Sequence, residues 1–118
     1  MPSRFEPCGL NQIYSQRYGT VPIVRNTGGL ADTVTDTTEE TLEARTATGF
    51  SFSGTTVKDL ATTIDRALGY YRQPELWQKI VSNGMKQDFS WKRSALLYLE
   101  LYETVLARRE DVPVAETA

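Results

Sequence analysis

The sequence predicts an α/β fold in which a small sheet is followed by three C-terminal helices. Two observations support this prediction: two short runs of β-branched and aromatic residues lie in the first half, and every pattern after Gly54 is helical. A length of 118 residues allows one core of modest size. The content of 40% apolar and 24% charged residues is typical of a globular chain and argues against a wholly disordered, collagenous or membrane protein.

The first predicted element is a helix from Gly9 to Tyr18. Its apolar residues recur at helical spacing, and Gly19 supplies a left-handed C-terminal cap. The face predicted to be buried consists of Leu10, Ile13, Tyr14 and Tyr18.

Two strands are predicted next. The segment Thr20–Arg25 is rich in β-branched residues and bounded by turn residues, which favours a buried strand, although Pro22 removes one hydrogen-bond donor. Phe50–Phe52 alternates like a second strand and ends at Gly54. Because two short strands do not form an independently stable sheet, we expect further strands from a partner chain or from upstream sequence.

The connections between these strands are predicted from their turn residues. Asn26–Gly29 indicates a turn, and Leu30–Thr35 indicates one helical turn after it. The Thr-rich, acidic stretch Asp36–Gly49 has few apolar residues, which predicts a solvated surface loop.

Three helices are predicted after Gly54. The first begins at a capping box of Thr56 and Asp59, the second has Pro74 in its first turn, and the third is capped by Ser90. Their predicted buried faces, in the same order, are Val57, Leu60, Ala61, Ile64, Leu68 and Tyr71; Leu76, Trp77, Ile80 and Val81; and Trp91, Ala95, Tyr98, Tyr102, Val105 and Leu106.

These faces place both tryptophans, Trp77 and Trp91, in the core rather than on a sugar-stacking surface. Residues 109–118 are predicted to form a polar tail.

Composition also excludes several kinds of chemistry. The chain has no histidine, so histidine-dependent catalytic triads and zinc motifs are ruled out. The net charge of −2 argues against a nucleic-acid partner, and no segment resembles a signal peptide or a membrane span. The lone cysteine, Cys8, has no intrachain partner, which is typical of a reducing compartment.

The residues with the clearest chemical potential are at the beginning of the chain. A helix that begins near Gly9 directs its free amide groups towards Glu6-Pro7-Cys8, and such a terminus attracts an anion by about 0.3–2 kcal/mol. A glycine lets a ligand approach the backbone closely, and the Glu6 carboxylate can accept hydrogen bonds from sugar hydroxyls. The alternative is that Glu6 only stabilises the start of the helix.

These same residues carry a family resemblance. Pro2–Leu10 (PSRFEPCGL), Tyr18–Thr20 (YGT) and Thr27–Val34 (TGGLADTV) resemble the glycogen synthases of bacteria and the starch synthases of plants. Asp88–Trp91 (DFSW) resembles the C-terminal signature of that family. The likeness extends from about Pro2 to Leu106 and includes Gln12, Tyr14, Pro22, Ala95, Tyr98, Leu101 and Tyr102.

The resemblance implies a glycosyltransferase of the GT-B fold, in which two Rossmann-like domains enclose a cleft. Residues 1–108 would be the C-terminal portion of the second domain, with a partial parallel sheet, while the N-terminal domain is absent. The implied reaction is retaining transfer of glucose from ADP-glucose to the non-reducing end of an α-1,4-glucan, without metal or other cofactor, in the cytoplasm. UDP-glucose remains open as the donor, and the oligomeric state is not indicated.

The resemblance also assigns roles to single residues. Glu6 would be the catalytic carboxylate that contacts the donor glucose, either as a nucleophile or, as we favour, as a positioning group. The backbone amides of Cys8 and Gly9 would hold sugar hydroxyls. Those of Leu10 and Asn11 would face the diphosphate.

Three further positions are assigned less specifically. Tyr14 stands where the broader class of nucleotide-sugar transferases often has a second glutamate, and its alternative role is a buried aromatic on the helix face. Thr27, Gly28 and Gly29 would lie near donor or acceptor, although a purely conformational role of the glycines is the alternative. The Cys8 side chain is expected to be non-catalytic because no histidine or second cysteine is available to activate it.

A chain of this length would hold only part of such an enzyme. We therefore expect the isolated chain to be inactive in transfer. The alternative is a non-catalytic module that binds nucleotide-sugar or glucan.

Overall fold

The computed structural model describes residues 1–110, with side chains through residue 108. Six helices and two strands are present in this range: α1 Asn11–Arg17, β1 Ile23–Arg25, α2 Gly28–Thr33, α3 Glu39–Glu43, β2 Phe50–Phe52, α4 Val57–Tyr71, α5 Pro74–Met85 and α6 Trp91–Glu110. This confirms the α/β class and the order of the predicted strands. The predicted tail, 109–118, lies almost entirely outside the described residues.

The sheet is small and parallel. Strands β1 and β2 pair in the register Ile23 to Phe50, Val24 to Ser51 and Arg25 to Phe52. Met1 lies along the other edge of β1, where its amino group donates to the Ile23 carbonyl oxygen at 2.6 Å and its carbonyl oxygen accepts from the Arg25 amide at 2.9 Å. Three segments of chain therefore run side by side, and their carboxyl ends lie at the same end of the sheet.

Phe50 is the centre of the main core. It is fully buried with Ala47, Ala67 and Ile80. The aromatic rings of Tyr70 on α4 and Trp77 on α5 pack against it, with ring centroids 5.7 and 6.2 Å away. A second cluster of Val24, Leu30 and Val34 lies beside Met1. The prediction that Trp77 packs in the core is confirmed.

Helix α4 begins as predicted. The Thr56 hydroxyl accepts from the Asp59 amide, and the Asp59 carboxylate accepts from the Thr56 amide, so the capping box is complete. Gly54 accommodates this carboxylate, because a Cβ at Gly54 would overlap it.

The predicted buried face of α4 is wrong in most positions. Val57, Ile64, Leu68 and Tyr71 are exposed, whereas Thr63 and Ala67 are buried. The small residues face inwards because the helix crosses close to the two-stranded sheet, where Phe50 already fills the space.

The face predicted for α1 is also wrong. Leu10, Tyr14 and Tyr18 are exposed, and the buried side chains are Gln12 and Gln16. These two glutamines face α2, where both amides donate to Thr33. The buried side chains of α1 are therefore polar, which apolar periodicity does not detect.

The segment Asp36–Gly49 is not a simple solvated loop. It contains α3, and Thr37, Ala47 and Thr48 are buried. The Asp36 carboxylate accepts two hydrogen bonds from the Arg66 guanidinium, at 2.7 and 3.0 Å, and one from the Ser51 amide at 2.6 Å. Asp36 therefore connects β2 to α4 through hydrogen bonds and does not face only water.

Two further boundaries differ from the predictions. Helix α2 begins at Gly28, so Gly28 and Gly29 form its first turn rather than a separate turn before it, and Gly28 itself has a positive φ of 46°. Strand β1 begins at Ile23, after Pro22, whose carbonyl oxygen still accepts from the Phe50 amide.

The described chain divides into two compact units, the first from Met1 to Gln87 and the second beginning at Asp88. The second unit contains α6, the third predicted helix. Ser90 precedes it, and the Ser90 amide donates to the Asp88 carboxylate at 2.9 Å. The predicted core position of Trp91 is wrong, since 85% of this side chain is exposed, and the other large residues of the predicted stripe are also exposed.

Candidate functional site

The candidate site lies where the parallel segments end. The Glu6 loop, residues 3–10, follows the segment that begins with Met1, and the Thr27–Gly29 motif follows β1. The Gly29 amide donates to the Glu6 carbonyl oxygen at 2.9 Å, so the two motifs are in direct contact. In open parallel sheets, ligands bind beyond the carboxyl ends of the strands, and this is the edge at which the two motifs meet.

Glu6 is half-buried in this loop. The Ser3 hydroxyl donates to Glu6 Oε2 at 3.1 Å, while the other carboxylate oxygen has no hydrogen-bond partner among the described residues. A carboxylate held on one side and free on the other can accept a hydrogen bond from a ligand hydroxyl.

Gly28 and Gly29 allow this contact between the two motifs. Gly28 has a positive φ of 46°, and a Cβ there would overlap the Glu6 carbonyl oxygen. A Cβ at Gly29 would overlap the backbone of Cys8. Both positions therefore need glycine for close approach of backbone to backbone, which supports the conformational interpretation of these residues.

Gln12 joins the same two motifs from the other side. Its amide nitrogen donates to the carbonyl oxygens of Cys8 and Gly9, both at 3.0 Å, and to Thr33 Oγ1 at 3.1 Å. Gly9 has φ +74°, and a Cβ there would press against the Gln12 amide. Sequence reasoning assigned no role to Gln12, because nothing in the periodicity distinguishes a buried glutamine from a solvated one.

The other predicted binding residues surround the start of α1. Cys8, Leu10, Asn11 and Tyr14 are exposed, and Leu10 is the N-cap residue of α1, where no side chain caps the helix. Cys8 and Leu10 belong to the Glu6 loop itself, and Asn11 is the first residue of α1. The alternative role of Tyr14 as a buried aromatic is wrong, because 56% of the side chain is exposed.

Arg25 is a second residue that sequence reasoning missed. It is the last residue of β1, and its guanidinium donates to the carbonyl oxygens of Ser3, Arg4 and Gly54. It therefore ties the Glu6 loop to the loop after β2.

Neither a metal-binding cluster nor a membrane-spanning helix is present among the described residues. No group of three acidic, cysteine or histidine side chains is arranged to hold a metal ion within residues 1–108. In the same part of the chain, no helix is both long and apolar enough to cross a membrane.

Comparison with known proteins places this geometry in context. No protein-family model matches the chain. Glycogen synthase from Thioalkalivibrio sulfidiphilus is 58% identical over 107 residues, which cover 91% of this chain and 22% of that protein. Glycogen synthase 1 from Methylococcus capsulatus is 57% identical with the same coverage.

A solved structure of a related synthase is also similar to this chain, in both sequence and fold. The catalytic domain of starch synthase IV from Arabidopsis thaliana, bound to ADP and acarbose, is 40% identical with a TM-score of 0.76. The match covers 90% of this chain and 22% of that one. The chain thus spans about a fifth of the length of the proteins it matches. By sequence and by fold, the chain is homologous to the C-terminal part of the glycogen and starch synthases, which are glycosyltransferases of the GT-B fold.

Proposed function

We propose that this chain supplies the donor-binding part of an enzyme that transfers glucose, with retention, from ADP-glucose to the non-reducing end of an α-1,4-glucan. The observation that carries the proposal is the identity of 58% with a glycogen synthase over 91% of the chain. The starch synthase neighbour, bound to ADP and acarbose, supports a nucleotide and a saccharide as ligands of the same fold. The proposed setting is the cytoplasm, where the thiol of Cys8 stays reduced.

The proposed role of Glu6 is to contact the donor glucose. Its carboxylate is half-buried, fixed on one oxygen by Ser3 and free on the other. A negative charge at this position stabilises the positive charge that develops on the sugar when the bond to the diphosphate lengthens. We propose this electrostatic and positioning role rather than covalent attack.

The proposed role of the surrounding backbone is to bind the rest of the donor. The amides of Cys8 and Gly9 would hold sugar hydroxyls, and those of Leu10 and Asn11 would face the diphosphate. Amide donors directed at the leaving group stabilise the negative charge that it acquires in the transition state. Gln12 and the two glycines of the Thr27–Gly29 motif would keep this backbone in place.

The proposal is tested in a chimera. In the Thioalkalivibrio glycogen synthase, the matched segment of 107 residues is replaced by the corresponding residues of this chain. We expect the chimera to incorporate labelled glucose from ADP-glucose into glycogen at about a tenth or more of the parent rate, within about 1.4 kcal/mol in barrier. A folded chimera without transfer activity would contradict the proposal.

The isolated chain is the matching negative control. We expect it to show no transfer, because the matched residues make up only about a fifth of the relative's length. Titration calorimetry with ADP, together with a circular dichroism melt, tests the alternative of a binding module. Saturable heat and a cooperative melt of the isolated chain, with an inactive chimera, would favour that alternative.

A further inference from the structure

Arg25 connects two loops through hydrogen bonds to backbone only. Its Nε donates to the Gly54 carbonyl oxygen at 3.2 Å, and its Nη1 donates to the carbonyl oxygens of Ser3, at 3.2 Å, and Arg4. Its own backbone amide donates to Met1. The side chain is half-buried at the carboxyl end of β1.

Among the described side chains, Arg25 has no acidic partner. In the part of the chain whose side chains are described, the one ion pair joins Arg66 to Asp36, and Arg25 is bound to carbonyl oxygens alone. A half-buried guanidinium uses its planar fork of donors to fix the positions of such oxygens relative to each other. The role of Arg25 is therefore to set the position of loops rather than to neutralise a carboxylate.

The loop that Arg25 fixes carries Glu6. Residues 3–6 form no helix or strand, so the position of this segment depends on contacts made by other elements. Arg25 binds the carbonyl group of Ser3, and the Ser3 hydroxyl donates to the Glu6 carboxylate. A displacement of Ser3 would thus move the hydrogen bond that orients Glu6.

We propose that Arg25 is a positioning residue for the transfer reaction: it holds Ser3 and Arg4 so that the Glu6 carboxylate faces the donor sugar. This inference rests on the proposed function. In this proposal Arg25 acts through the carbonyl oxygens of Ser3 and Arg4 and not on the donor or acceptor, so its loss should change the chemical step more than donor binding. A displacement of about 1 Å at a reacting group costs on the order of 100-fold in rate.

The experiment compares Arg25→Ala with Arg72→Ala in the chimera; Arg72 is exposed at the end of α4. We expect Arg25→Ala to lower kcat by about 100-fold with little change in KM for ADP-glucose. We expect millimolar guanidinium, below denaturing concentrations, to recover about tenfold of the lost kcat, because it refills the site of the missing side chain. Arg72→Ala should leave both constants unchanged. An unchanged kcat in Arg25→Ala, or a loss that guanidinium does not recover, overturns the inference.

Two further measurements separate this inference from the proposed function. Glu6→Gln in the same chimera tests the reaction site. If Glu6→Gln lowers kcat and Arg25→Ala does not, only the inference about Arg25 fails. If the chimera is inactive, amide exchange at Gly29 decides the role of Arg25, because this amide donates to the Glu6 carbonyl oxygen. Exchange at Gly29 should be about tenfold faster in Arg25→Ala than in Arg72→Ala, and equal rates would contradict the inference.

Discussion

Gly29 lies directly against the backbone of Cys8, so closely that a Cβ on Gly29 would overlap the carbonyl oxygen and Cα of Cys8. The helix that begins with the Thr27–Gly29 motif is thereby pressed against the loop that carries Glu6. The contact is made by backbone on both sides, which leaves no flexible side chain to move aside.

Two glycine substitutions are predicted to have opposite effects on stability, because only Gly29 of the pair has such a contact. Gly29→Ala should destabilise the chimera by about 1–3 kcal/mol, because the overlap with Cys8 forces the backbone apart. Gly69→Ala, in α4 with no atom within 4 Å of the added Cβ, should stabilise it by about 0.5–1 kcal/mol. Urea unfolding midpoints measure both. Equal effects of the two substitutions would show that Gly29 does not need its close contact.

The Glu6 carboxylate is predicted to act on the rate of transfer. Glu6→Gln keeps the shape and the hydrogen bond from Ser3 but removes the charge, so kcat of the chimera should fall by about 100-fold to 1,000-fold. Glu40→Gln, on the exposed side of α3, is the matched control and should have no effect. Radiolabelled glucose incorporation measures both variants, and near-normal transfer by Glu6→Gln would argue against a catalytic charge at this site.

The ion pair between Asp36 and Arg66 is predicted to stabilise the sheet end. Asp36→Ala removes the acceptor of two guanidinium bonds and of the Ser51 amide, and also leaves Arg66 without a counter-ion over the Phe50 ring. Because both side chains are about a third exposed, we expect a loss near the lower end of the range for charged hydrogen bonds, about 1–2 kcal/mol. Urea unfolding of the chimera measures this loss in the free energy of unfolding. Asp32→Ala, on the exposed side of α2, should change stability by less than about 0.5 kcal/mol.

The capping box of α4 predicts a pH dependence. The hydrogen bonds from the Thr56 hydroxyl and amide hold the pKa of Asp59 below its ordinary value of 3.8. Since the folded-state pKa is the lower one, the contribution of Asp59 to stability is fully present above the unfolded pKa and is lost as the pH falls through the folded pKa. In the chimera, Asp59→Asn should therefore lower the melting temperature at neutral pH relative to the unsubstituted chimera. This difference in melting temperature should shrink below about pH 4.

The control for this pH effect is Asp65→Asn, an exposed position on the same helix. The melting temperature of this variant should equal that of the unsubstituted chimera at every pH. A difference between Asp59→Asn and the parent that stays constant down to about pH 2 would contradict the role of the ionised cap.

Parts of the site were predictable from sequence because they are local. The Glu6 loop and the Thr27–Gly29 motif are continuous stretches, and their residues were identified without any knowledge of the fold. That the two stretches touch was not predictable, since the contact between Gly29 and Cys8 joins residues of different elements. The same holds for Gln12 and Arg25, whose roles depend on backbone groups that only the folded chain brings within reach.

Signals that lie within a few residues were enough to predict the capping box of Thr56 and Asp59, the strand Phe50–Phe52, and the family to which PSRFEPCGL points. Which helix faces are buried follows only from the folded chain. The glutamines of α1 and the small residues of α4 face inwards, and Asp36 pairs with Arg66 thirty residues away. Burial depends on the space left by neighbouring elements and on distant hydrogen-bond partners, and local periodicity encodes neither of these.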